Sequence, residues 1–172
     1  EADGSFLWQI THDKLPEPEL NDWPKQGIGS YPAYDQKKIY YVSNRCELVC
    51  ASTELAQGKT EPAILWKIDM MKDLGVFPCF LAIGSPLVLG DNVFVVTANG
   101  VDPNQHKLPA PDAPSFIAVN KNTGNVLIDI RFKVKGDYLY FTISNPMPEF
   151  TVHKDNFNKS SGIGIENVKK RL

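Results

Sequence analysis

The sequence has no excess of either charge. Its 18 Lys and Arg face 20 Asp and Glu, for a formal net charge of -2 and a pI of about 5.9. The basic footprint that a nucleic acid or an anionic membrane surface would demand is therefore missing. No long apolar run is present either. The stretch from Val76 to Gly90 is broken by Pro78, Gly84, Ser85 and Pro86, too short and too interrupted to span a bilayer. The opening Glu1-Ala2-Asp3-Gly4 carries neither the basic nor the apolar region of a secretory leader. Cysteine is scarce. Cys46, Cys50 and Cys79 are an odd number, which is no disulfide framework. On a strand, Cys46 and Cys50 would share a face roughly 13 Å apart, too far for a bridge. No ligands are spaced around them for a metal. They are expected to be small buried hydrophobes.

What is present is ordinary globular material with a repeat in it. Hydrophobic residues make up 42% of the 172 and charged residues 22%, enough to bury a core. Gly29-Ser30-Tyr31-Pro32-Ala33 leads to Ile39-Tyr40-Tyr41-Val42-Ser43, and Gly84-Ser85-Pro86-Leu87-Val88 leads to Val93-Phe94-Val95-Val96-Thr97. Each pair is separated by a short polar turn, and Ile39 and Val93 stand 54 residues apart. A third strand follows in each copy, Glu47 to Ala51 and Ser115 to Val119. A fourth follows that, Ile64 to Ile68 and Asn125 to Ile128. Phe6-Leu7-Trp8-Gln9-Ile10 reads as the fourth strand of a preceding unit, which makes Trp8 and Trp66 equivalent. Lys121-Asn122-Thr123-Gly124 supplies the residues that a tight hairpin needs. Four short strands per repeat, at a period of about 50 to 60 residues, is the pattern of a propeller blade or a stacked β-array. Proline-rich loops at 15–24 and 101–114 are insertions on that scaffold, and Met70 to Leu74 suits one helical turn.

These segments, with Phe116-Ile117-Ala118-Val119-Asn120-Lys121-Asn122-Thr123-Gly124-Asn125-Val126, resemble the repeat of pyrroloquinoline-quinone (PQQ)-type bacterial β-propellers over about residues 5–128. The resemblance implies two four-stranded antiparallel blades and the last strand of a third. It departs at Ile128, where the tryptophan expected from Trp8 and Trp66 is missing. A quinoprotein dehydrogenase needs a closed ring of blades around its quinone, with calcium ligands and a catalytic carboxylate. Two blades cannot enclose such a site, so PQQ is not the expected cofactor, and the alternative of a part of a PQQ-dependent dehydrogenase would need further chain.

From residue 127 the pattern changes. Leu127 to Val134 and Tyr138 to Ile143 suit two strands joined at Lys135-Gly136-Asp137. Ile165, Val168 and Leu172 then fall at helical spacing. Residues 127–172 resemble the end of the ATP-binding domain of LytS-type sensor histidine kinases. Asn145 and Gly162-Ile163-Gly164 match the residues that would meet nucleotide there. Glycines admit a phosphate close to the backbone, and a helix N-terminus offers free N–H groups. Ser144 stands where that family has the Asp that meets the adenine amine, and the upstream magnesium-holding helix is absent.

The expected architecture is mainly β: a partial propeller over 1–128, then a hairpin and a C-terminal α-helix over 129–172. The two parts read as a fusion of pieces from different compartments, the first extracytoplasmic and the second cytoplasmic. His12 beside Asp13, Glu17 and Glu19, and His106 near Asp102, read as solvated loops rather than metal sites. Ser30 and Ser85 lack a nucleophile elbow. No catalytic residue and no metal ligand is expected. The expected function is a non-catalytic binding or structural module. It would meet a protein partner, or itself, through open sheet faces, with ATP and magnesium as the alternative ligand at Asn145, Gly162, Ile163 and Gly164.

Overall fold

The computed structural model describes residues 3–16, 26–79 and 83–145. Nine strands and one short helix follow in order: β1 (Ala33–Asp35), β2 (Lys38–Val42), β3 (Glu47–Ser52), β4 (Ile64–Asp69), α1 (Met70–Leu74), β5 (Leu87–Leu89), β6 (Asn92–Val96), β7 (Phe116–Asn120), β8 (Val126–Lys135) and β9 (Tyr138–Ser144). They form two antiparallel sheets. The first has the order β1-β2-β3-β4, and the second β5-β6-β7-β8-β9. The protein is mainly β, and every sheet neighbour is also a sequence neighbour.

Local chemistry explains the turns. Gln36 and Lys37 both take positive φ, 48° and 64°, the twist that a two-residue hairpin needs. Between β7 and β8 the Asn120 side-chain oxygen accepts from the N–H groups of Asn122 and Thr123, at 2.9 and 3.1 Å, and Gly124 closes the loop at φ 74°. Asp69 accepts from the Lys72 N–H at the start of α1, and Gly75 ends the helix at φ 69°.

The repeat is visible in the register. Ile39 pairs with Ala51 as Val93 pairs with Val119, and Tyr40 with Cys50 as Phe94 with Ala118. Even the irregularity repeats. The ladder slips between Cys50 and Ala51 in the first sheet, and between Ala118 and Val119 in the second. Leu65 and Leu127 are the residues passed over, and Ile128 occupies the position of Trp66. A bulge in the same place on two strands 68 residues apart fixes which residues correspond, hence which faces do.

Residues i and i+2 of a strand share a face. We call the face with Tyr40 and Phe94 the front, and the face with Tyr41 and Val95 the back. Tyr40, Val42, Leu48, Cys50 and Ile68, on the front of the first sheet, form one core with Val93, Val95, Ile117 and Val119, on the back of the second. The sheets therefore stack front to back. The β7–β8 turn locks them together. Trp66 Nε1 donates to the Lys121 carbonyl at 3.0 Å, and the Tyr40 hydroxyl donates to the same oxygen at 3.3 Å. Lys121 Nζ reaches Asp35 at 2.9 Å, and Lys38 Nζ reaches Asn122 at 2.9 Å. Trp66 thus packs between sheets, as its place in the repeat implies.

Residues 3–16 have no ladder partner among the described residues, yet they are not loose. Ile10 packs on Tyr41, Val49 and Ala51 at the back of the first sheet. Those are the counterparts of Val95, Ile117 and Val119, on which Ile68 packs.

One expectation needs adjusting. The second sheet has five strands, not four. No Gly or Pro interrupts Val126–Lys135, so β8 runs on for ten residues and takes β9 as an outer neighbour. The boundary placed between residues 128 and 129 falls inside that strand. Cys46 lies in the turn just before β3, at φ 58°. The C-terminal helix read at Ile165 to Leu172 lies outside the described residues.

Candidate functional site

Asn145 follows β9 and is exposed. Gly162, Ile163 and Gly164 lie outside the described residues, as do Glu17 and Glu19. His106 and Asp102 do meet, but as a turn. The Asp102 Oδ1 accepts from the backbone N–H of His106 and of Lys107 at 2.9 and 3.1 Å. Among the described residues no group of three or more His, Cys, Asp or Glu is placed to hold a metal. Cys46 and Cys50 are buried in the core, as expected, whereas Cys79, expected to be buried too, is only half-buried. Burial lifts the Cys46 thiol to about 12 and raises that of Cys50.

Two arrangements stand out. The first surrounds His12, which meets residues far from it in sequence. Its Nε2 and the Tyr41 hydroxyl share a hydrogen bond of 2.8 Å, and its Nδ1 lies 3.8 Å from Glu47 Oε2. The Glu47 side chain is only 5% exposed, with Lys67 Nζ at 2.7 Å and the Ser43 hydroxyl donating at 3.2 Å. Burial lowers the His12 pKa, against a smaller opposing pull from Glu47, and lifts Tyr41 to about 12. The carboxylate facing Nδ1 favours the neutral tautomer with its proton on Nδ1, in which Nε2 accepts from the Tyr41 hydroxyl. Arg45 donates to the carbonyls of Asp13 and Lys14 at 3.2 and 3.3 Å, and Asn44 to that of Asp13 at 3.2 Å. The network holds the N-terminal segment on the back of the first sheet. Beside it lies an apolar cleft of about 260 Å³, lined by Trp8, Ile10, Ile28, Pro32, Ile39 and Tyr41.

The second arrangement is the front of the second sheet, where Leu87, Phe94, Val96, Phe116 and Ile130 border shallow apolar hollows. Phe94 and Phe116 stack at 6.2 Å. The face continues along the β8–β9 ribbon. Phe132 and Val134 alternate with Arg131, Lys133 and Lys135, which point to the back. Their cross-strand partners Phe141 and Leu139 are apolar too, and the Phe132 and Phe141 rings lie 5.3 Å apart. Val134 is 73% exposed and Leu139 65%. The reverse of the ribbon carries the charges of β8 and the exposed rings of Tyr138 and Tyr140.

Comparing the two fronts shows what has changed. The first sheet clasps its neighbour with Asp35, Lys38, Tyr40 and Trp66. The corresponding residues of the second are Leu89, Asn92, Phe94 and Ile128. The acid, the base, the hydroxyl and the indole are all gone.

The His12 network was not legible in sequence, because 35 residues separate His12 from Glu47. The two strands of the ribbon were legible. No protein-family model matches this chain, and no curated protein matches it in sequence. No helix among the described residues is long and apolar enough to cross a membrane.

Proposed function

We propose that the chain is a non-catalytic binding or structural module built from two propeller-type repeats, and that it works by presenting the front of its second sheet to a protein surface. The observation that carries this reading is the front-to-back stacking, in which the covered front of the first sheet corresponds to the open front of the second. The common bulge supports a repeat of one unit, and Ile10, seated on the first sheet as Ile68 is on the second, supports a third repeated element at the N-terminus. The PQQ-type resemblance over residues 5–128 agrees with both.

The test is hydrogen exchange of the whole chain, read by mass spectrometry with and without magnesium-ATP. A module of this kind shows no change on adding ATP, with slow exchange in β2, β3, β6 and β7. Slowed exchange at Asn145 and Gly162 to Gly164 on adding ATP would instead establish the nucleotide site and displace the reading.

A further inference from the structure

We infer that the front of the second sheet pairs with the same face of a second copy of this chain, giving a two-fold symmetric dimer. The inference rests on the repeat-module reading, which identifies this face as the docking face. Three observations select a second copy as its occupant.

The first is elimination among the described faces. The back of the second sheet is filled by the first sheet over β6 and β7 and carries Arg131, Lys133 and Lys135 along the ribbon, and the back of the first is occupied by the N-terminal segment through Ile10 and His12. A second copy thus has one large apolar sheet face to offer, and it is the same face. The second observation is chemical. The front that docks on another sheet's back uses an acid, a base, a hydroxyl and an indole. This front has Leu89, Asn92, Phe94 and Ile128 in their places, so it has lost the groups that would grip another hairpin turn. A face without charge needs no complement of opposite sign and matches itself, which is the requirement of an isologous interface. The third is extent. β9 and the outer half of β8 widen this face beyond its counterpart with Phe132, Val134, Leu139, Phe141 and Ile143, while Tyr138 and Tyr140 lie on the reverse beside the lysines. Two such faces apposed bury a layer like the interior of a β-sandwich.

The experiment is the solution mass of the full chain by sedimentation and light scattering across a concentration series. The expected mass is twice 19.2 kDa, falling toward 19.2 kDa on dilution. Leu139→Lys and Val96→Glu should each shift the dimer to monomer with an unchanged far-ultraviolet spectrum. Lys133→Glu, on the reverse of the ribbon, should leave the dimer intact. Both front residues are more than half exposed, so either variant should fold, and the wild-type mass requires no variant at all. A wild-type monomer at every concentration would overturn the pairing, and would point to residues 146–172 of the same chain as the cover if deleting them then produced dimers. An open series of larger species, with residues 6–16 released, would overturn the symmetric arrangement in favour of head-to-tail stacking. Either failure leaves the repeat-module reading intact, because that stands on its own exchange experiment.

Discussion

Substituting Gly124 by Ala tests the contact between the two sheets at its tightest point. Gly124 lies at φ 74°, and a Cβ there would sit 2.9 Å from Trp66 Cε3 and 3.0 Å from Cδ2. The left-handed backbone alone costs an L-residue about 1–2 kcal/mol. The overlap adds about 1–3 kcal/mol, because the indole is held at the Lys121 carbonyl and cannot swing aside freely. Gly90 supplies the control. Its φ is 60°, and a Cβ would find nothing within 4 Å, so Gly90→Ala carries the backbone cost alone. Urea unfolding followed by circular dichroism should give Gly124→Ala the lower midpoint by roughly 0.5–1.5 M, taking an m-value of about 2 kcal/mol/M. In a Trp66→Leu background the two alanine variants should cost the same, because the obstruction has gone. If Gly124→Ala and Gly90→Ala are equal in the native background, the Trp66 contact does not join the sheets as described.

Other outcomes follow from the buried groups. His12 has a folded-state pKa below its ordinary 6.5, chiefly from burial, with Lys67 and Arg45 acting in the same direction and Glu47 and Asp13 opposing. The unfolded chain therefore takes up a proton first as pH falls. The stability from this site is complete above 6.5 and is lost as pH drops through 6.5 towards the folded value. Melting curves between pH 7.5 and 5 should show that loss in the wild type and a flatter profile in His12→Gln; parallel profiles would contradict the burial of a neutral imidazole. Thiol labelling of the native protein at pH 8 should reach Cys79 well before Cys46 and Cys50, with all three reacting in denaturant. Rapid native labelling of all three would contradict the buried core. Trp66→Phe keeps an aromatic ring but removes the hydrogen bond to Lys121, and should cost about 1 kcal/mol or more in the same unfolding assay; no loss would mean that this bond adds nothing.

The strands were legible because their patterns are local. β2, β6 and the turns between them announce themselves through β-branched and aromatic runs flanked by polar pairs, and the repeat supplies a second copy of each signal. The five-stranded sheet was half legible. Leu127 to Val134 was read as a strand, but also as the close of the second repeat and the opening of a separate hairpin. Only the absence of a breaker between 126 and 135 argued for one continuous strand. The meeting of His12 with Tyr41, Glu47 and Lys67 was illegible for a different reason. Glu47 pairs with Asp69, so Lys67 is a diagonal neighbour across the ladder, and that register emerges only once the sheet is assembled. His12 then arrives by packing Ile10 on the sheet, which no spacing encodes.

Front-to-back stacking gives the molecule a direction. A sheet added in this manner hides one face and displays another of the same kind, so the exposed apolar area at the growing end does not shrink as repeats accumulate. The gain grows with the number of interfaces while the cost of the ends stays fixed, as in a one-dimensional lattice with two terminal terms. Here the back of the first sheet already carries an extended segment of only a few residues, fastened through His12 and Arg45. The front of the second sheet carries a water-averse surface in place of the polar grip that joins the two sheets, so its exposed area is the fixed terminal cost of this stack.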